Sequence, residues 1–214
     1  MTRRRSWLIV AALAGAVVGG CSSAPADQGD SAPRADGIVL LGDSISEESA
    51  AQLTEAMPGL VVDAVTGRTL VTPGLTDAGI ARVATLAQSA PKWWVVELGT
   101  NDAAYLKYPE QQLAGDVTAL LGAIGADACV LWVLPGVGLP AEQSVVDGVA
   151  HFGDIVRFAL GQRTCAATID WNSVVQTEVN VLGPDGVHLT TAGRVRLADF
   201  IRAGLIGVGA LPTS

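Results

Sequence analysis

The chain predicts an α/β fold, a parallel sheet of five strands with helices on both faces. Two observations carry this. Five short β-rich runs, at 38–41, 60–65, 93–98, 129–134 and 166–170, alternate with stretches of helical apolar spacing. That βαβαβαβαβα order is the pattern of a parallel sheet whose crossovers are helices. Half of the 214 residues are apolar, enough for one domain with a core that needs neither metals nor many disulfides.

The elements follow in order. Gly37-Ile38-Val39-Leu40-Leu41 is an apolar run that reads as a buried strand, and 47–57 is the helix after it. The second and third strands are followed by helices at 77–89 and 109–124, the fourth by one at 142–160. The last helix runs from 191 to 205, with Leu197, Ile201 and Leu205 on one face. Right-handed crossovers leave few topologies for such a chain. Ligands of open parallel sheets bind at the carboxyl ends of the strands. Ser44, Gly67, Asn101 and Asp170 all fall there.

The first 35 residues read as export and tethering. Arg3-Arg4-Arg5 is a basic start, and Trp7 to Val18 is an apolar stretch too short to span a bilayer comfortably. Val18-Gly19-Gly20-Cys21 resembles a bacterial lipobox, in which Cys21 is lipidated and becomes the first mature residue. Residues 1–20 are then a signal peptide; an ordinary secretory signal cut nearby is the alternative. Arg4-Arg5-Ser6-Trp7-Leu8 loosely resembles a twin-arginine signal, although a plain basic start accounts for it as well. Residues 21–35 are rich in Ser, Ala, Pro, Gly and Asp, the composition of a flexible tether. The expected location is the outer face of the cell membrane, with secretion as the alternative. The folded domain is expected over 36–214.

The net charge is −8, and removing residues 1–20 takes away three basic residues and no acidic ones. That argues against nucleic acid as a partner. Cys129 and Cys165 remain as an even pair in an exported chain. Each sits at or just before the start of an apolar run. If those runs are neighbouring strands, a disulfide is feasible; two buried thiols are the alternative. No Cys/His cluster has metal-ligand spacing, and no cofactor is expected.

Four short blocks carry chemistry. Ser44 follows the first strand in Gly42-Asp43-Ser44. As local structure it reads as an N-cap, since Ser44-Ile45-Ser46-Glu47 fits a capping box. A serine at a strand-to-helix turn also exposes its own amide to an oxyanion. Gly67 ends the second strand as a turn residue needing positive φ, with an amide free to face a site. Arg68 reads as solvated or salt-bridged. Asn101, in Gly99-Thr100-Asn101-Asp102, is a turn former whose side-chain amide could hold an oxyanion. Asp102 reads as a cap. In Asp185-Gly186-Val187-His188 a short turn can set the carboxylate against the imidazole. A serine needs a base and the base an orienting carboxylate. Ser44, His188 and Asp185 supply the three. His151 lies mid-helix with no motif around it.

Taken together and in order, these blocks resemble the SGNH (GDSL-type) hydrolase family. The matching residues are Ser44 with Gly42 and Asp43, Gly67, Asn101 with Gly99, and His188 with Asp185. Ile45 stands where the name-giving motif has leucine. The resemblance spans residues 37 to about 205. It implies a flavodoxin-like three-layer α/β/α fold with a five-stranded parallel sheet. It implies Ser44 as nucleophile, His188 as base and Asp185 beside it. The oxyanion hole would be the amides of Ser44 and Gly67 with the Asn101 side chain. Val62 to Arg68, Asp170-Trp171 and Asp185 to Thr190 with Gly193 look like the SGNH domains of cell-wall O-acetyltransferases. The expected activity is that of a lipid-anchored, monomeric serine esterase cleaving or transferring short acyl groups, acetyl above all, on cell-envelope glycans. A lipolytic esterase or thioesterase with the same site is the alternative. A non-catalytic envelope lipoprotein on the same scaffold is opposed by the intact Ser44, Asn101, Asp185 and His188. Few aromatics are available for a lipid groove; Trp171 and Tyr105 are candidates for a sugar subsite.

Overall fold

The computed structural model describes residues 34–213, apart from 73, 75 and 106. The proposed signal peptide, most of the proposed tether and Cys21 lie outside the described residues. Five parallel strands, β1 (Ile38–Gly42), β2 (Val61–Ala64), β3 (Trp93–Glu97), β4 (Cys129–Leu134) and β5 (Ala166–Asp170), form one sheet in the order β2-β1-β3-β4-β5. The helices are α1 (Ser44–Glu48), α2 (Ala50–Ala56), α3 (Gly79–Leu86), α4 (Glu110–Ile124), α5 (Gln143–Leu160), α6 (Trp171–Thr177) and α7 (Thr191–Gly207). No described helix is long and apolar enough to cross a membrane.

Strand side chains alternate between two layers. Leu40, Val95, Leu131 and Val133 pack with Leu53 of α2 and Leu197, Ile201 and Leu205 of α7. Val39, Leu41, Trp94, Val96 and Trp132 pack on the other face with Val83 of α3, Val117 and Leu120 of α4, and Phe152 and Val156 of α5. Burial of each large side chain contributes about 1.5–3 kcal/mol. β1 is buried throughout, and β3 and β4 nearly so, whereas β2 and β5 at the edges are only partly covered. The turns leaving β1 and β3 therefore hang from well-anchored strands.

From β1 the chain moves outward to β2 and then back across to β3. A crevice opens where the connections diverge, beyond the carboxyl ends of β1 and β3. Gly42, the last residue of β1, pairs with Glu97, the last of β3, and with Ala64, the last of β2. Asp43-Ser44, Asn101 and Gly67 are thus brought to one place.

Several expectations shift. The helix expected over 47–57 starts at Ser44 and is broken at Ser49, whose hydroxyl donates to the Ile45 carbonyl at 2.7 Å. A serine back-bonded to the preceding turn competes with the helical ladder. Ala35 belongs to the core, not to a tether: it is fully buried, and its amide donates to the Pro58 carbonyl at 2.7 Å. The short α6 and a one-turn π-helix at Asn101–Tyr105 were not expected, because neither is long enough to show a period. Cys129, opening β4, and Cys165, just before β5, form a disulfide with Cα atoms 4.7 Å apart.

Candidate active site

β1 ends in Gly42, and the chain turns at once into α1. A side chain at position 42 would meet Ser46 at about 2.5 Å, so only glycine lets the helix start this close to the strand. Asp43, not Ser44, is the N-cap: its Oδ1 accepts from the Ile45 amide at 3.0 Å. The capping-box reading fails because Glu47 turns away, its Oε2 accepting from the Thr66 amide at 2.6 Å. Ser44 is left as the first helical residue with its hydroxyl facing the crevice.

His188 reaches that hydroxyl from the turn before α7. Its Nε2 lies 3.2 Å from Ser44 Oγ, and its Nδ1 lies 2.6 Å from Asp185 Oδ2. Asp185 Oδ1 accepts from the Val187 and His188 amides, both at 3.0 Å. Burial alone would raise the Asp185 pKa. The hydrogen bonds from His188 and the two amides outweigh it and hold the carboxyl below its ordinary range. An ionised Asp185 can only accept, so His188 carries its proton on Nδ1. Nε2 is then the ring nitrogen that faces the serine.

Gly67 has φ 77°, a conformation natural to glycine, which turns the backbone after β2 back toward Ser44. Among the described residues, neither the Ser44 nor the Gly67 amide donates to a protein acceptor. Asn101 lines the same cavity but is not idle. Its Nδ2 lies 3.1 Å from Asp43 Oδ2 and 3.0 Å from the Arg68 carbonyl, so both amide hydrogens have acceptors. An oxyanion must share one of them.

Ser44, Thr66, Gly67, Gly74, Thr100, Asn101, Tyr105, Val187 and His188 line a cavity of about 340 Å³. Of the four strand-end residues expected here, Asp170 is elsewhere. It caps α6 and pairs with Arg157 at 2.8 Å. Trp171 is buried, with 2 % of its surface exposed, and cannot line a sugar subsite. Tyr105 is exposed at the cavity. Arg68 is buried rather than solvated and ion-paired to Asp63 at 2.8 Å. His151 is half-exposed beside Glu110.

The residues that sequence reasoning missed lie behind the serine. Asp43 and Glu97 are buried against each other, and Ser46 Oγ donates to Glu97 Oε2 at 2.7 Å. Burial pushes the Asp43 pKa up to about 7 and that of Glu97 well above its ordinary value, the neighbouring Asp43 charge adding to the latter. Both shifts favour the protonated form, and the two carboxyls titrate as a pair. Asp102, which the sequence reads as a cap, is instead fully buried and accepts from the distant Leu70 amide at 3.0 Å, and burial pushes its pKa up to about 6. Only the pairing of Gly42 with Glu97 across β1 and β3 reveals this cluster, and no local motif signals it.

No protein-family model and no curated protein matches the chain. Solved structures do. The C-terminal catalytic domain of Streptococcus pneumoniae peptidoglycan O-acetyltransferase A superposes with TM-score 0.67 at 22% identity, over 83% of this chain and 96% of that one. A lipase/acylhydrolase from Enterococcus faecalis gives 0.66 at 17% identity, over 85% and 99%. A carbohydrate esterase family 3 protein from Talaromyces cellulolyticus gives 0.59 at 20% identity, over 80% and 96%. At such identities the likeness establishes the fold, the three-layer α/β/α architecture of SGNH-type hydrolases.

Proposed function

We propose that the protein is a serine esterase that removes, or transfers, short acyl groups from glycans of the cell envelope, working from a lipid anchor outside the cell. The observation that carries this reading is the continuous relay from Ser44 through His188 to Asp185, at the wall of a cavity lined also by Gly67 and Asn101.

The chemistry follows from the geometry. Ser44 Oγ attacks the ester carbonyl as its proton passes to His188 Nε2. The imidazolium is stabilised by the ionised Asp185. Negative charge gathers on the carbonyl oxygen, where the Ser44 and Gly67 amides and the Asn101 side chain are the available donors. One such donor is worth roughly 3–4 kcal/mol of barrier. His188 returns the proton to the leaving alkoxide. Water, or a second sugar hydroxyl, then attacks the acyl-serine by the same steps in reverse.

The glycan reading draws on the O-acetyltransferase and carbohydrate esterase among the structural neighbours and on the Asp185-to-Thr190 motif. Export and anchoring draw on residues 1–21 alone. A lipolytic reading has one observation in its favour. The cavity of about 340 Å³ exceeds what an acetyl group fills, and an acylhydrolase is among the neighbours. Chain length separates the two. Each buried methylene adds about 0.8 kcal/mol to acyl binding where there is room for it. With p-nitrophenyl acetate through octanoate, kcat/KM is expected to fall beyond two to four carbons, and acetate to be released from acetylated chitooligosaccharide. Rising efficiency toward octanoate without glycan activity would replace this reading with the lipolytic one.

A further inference from the structure

A second cleft opens beside the catalytic cavity. It measures about 440 Å³ and is lined by Ala104, Tyr105, Lys107, Pro140, Ala141, Glu142, Val145, Asp185 and Val187. Tyr105 and Val187 line both spaces, so the two adjoin across that pair. The far wall is tied to the catalytic turn. The Gly138 amide donates to the Gly186 carbonyl at 2.8 Å, and the Ala141 amide to the Gly138 carbonyl at 2.9 Å. The strap that carries Pro140, Ala141 and Glu142 is thereby held against the segment that carries Asp185 and His188.

The position of this cleft relative to the reaction matters more than its size. The alkoxide that leaves must take its proton from His188 Nε2, so the alcohol part of an ester lies on the His188 side of Ser44. Gly67, Thr66 and Gly74 line the catalytic cavity and not the second cleft, whereas Val187 and Tyr105 line both. An alcohol longer than the first cavity can hold extends past them.

The lining shows what kind of alcohol. Ala104, Pro140, Ala141, Val145 and the half-exposed ring of Tyr105 offer apolar faces. Lys107 and Glu142 offer a donor and an acceptor at the rim. Lys107 Nζ donates to Ser144 Oγ at 3.2 Å and, among the described residues, pairs with no carboxylate. An acyl chain here would strip water from an ammonium and two carboxylates with nothing in return. A phosphate would meet Glu142 and Asp185. A pyranose suits both features, since its ring has apolar faces and its hydroxyls donate and accept.

We propose that this cleft is a leaving-group subsite for a second sugar ring, with Tyr105 as its apolar platform and Lys107 and Glu142 as hydroxyl partners. This deepens the glycan esterase reading and rests on it. The test compares kcat/KM for acetate release from O-acetylated N-acetylglucosamine and from singly O-acetylated chitobiose. One well-placed sugar contact is expected to favour the disaccharide by about tenfold, the effect of 1.4 kcal/mol. That ratio should fall to near one in the Lys107→Met/Glu142→Ala double variant. It should fall likewise in Ala141→Trp, which fills the cleft by a different route. Equal values for the two esters in the unaltered protein, or a ratio that survives both variants, overturns the subsite while leaving the glycan reading in place. Release from neither ester by protein that still hydrolyses p-nitrophenyl acetate overturns the glycan reading and the subsite with it.

Discussion

Two turns meet at Ser44, and each brings an aspartate in the opposite state. Asp185, in the turn before α7, is half-exposed and takes three hydrogen bonds from His188 and two backbone amides. It is held ionised. Asp43, in the turn after β1, is wholly buried beside Glu97 and pushed up to about 7. Hydrogen bonds decide the first, desolvation the second. The difference suits the proposed division of work. A carboxylate that must stabilise an imidazolium needs its charge. A carboxyl group that only fixes a helix start and the Asn101 amide does not, and next to Glu97 two charges could not persist.

This contrast can be broken at three points, in order of effect. Replacing the serine removes what both turns serve. Ser44→Ala should lower kcat by about 10⁴-fold or more, leaving the contribution of binding and the oxyanion donors. A serine-directed phosphonate should label the unaltered protein at Ser44. Labelling elsewhere would take the nucleophile role from Ser44.

The second point is the ionised side. In Asp185→Asn the amide can no longer accept from Nδ1–H as a carboxylate does, and the imidazole loses its preferred tautomer. The loss should be about 10²-fold, short of the ~10⁴-fold seen where the triad aspartate is fully buried. Asp185 is open to water, which replaces part of its function. Steady-state kinetics on p-nitrophenyl acetate measures this. Activity equal to the unaltered protein would remove Asp185 from the relay.

The third and smallest effect lies on the buried side and appears in stability. Asp43 titrates near 3.8 when unfolded and about 7 when folded, so the native state keeps a proton that the unfolded chain releases. Its contribution is complete below about pH 4 and lost as the pH rises through about 7. Glu97, Asp102 and Asp116 are also raised and act with the same sign. The carboxyl groups held low, Asp36, Asp63, Glu178 and Asp185, act below their ordinary range and leave this window alone. Urea midpoints should therefore fall between pH 4.5 and 7.5, and Asp43→Asn should flatten that slope. An unchanged slope in the variant would show that Asp43 is ionised in the native state.

Much of this molecule could be read along the chain. Strand and helix positions were legible because long apolar periods depend on local spacing alone, and β4 and β5 begin and end where their runs do. That Ser44, Gly67, Asn101, Asp185 and His188 come together was legible because turn chemistry at strand ends is written in short motifs. What could not be read depended on partners distant in sequence. Trp171 follows a strand end much as Ser44 does, yet it is buried and unavailable to a ligand. Asn101 looks like a free donor until Asp43, 58 residues earlier, is found accepting from it. The raised, mutually buried carboxyls of Asp43 and Glu97 and the second cleft beside Tyr105 and Val187 have no local signature. Motifs determine which groups are present at the strand ends. Burial, and the carboxylates that burial forces together, is set only when β1 and β3 pair and the strap at 138–142 closes on the His188 turn.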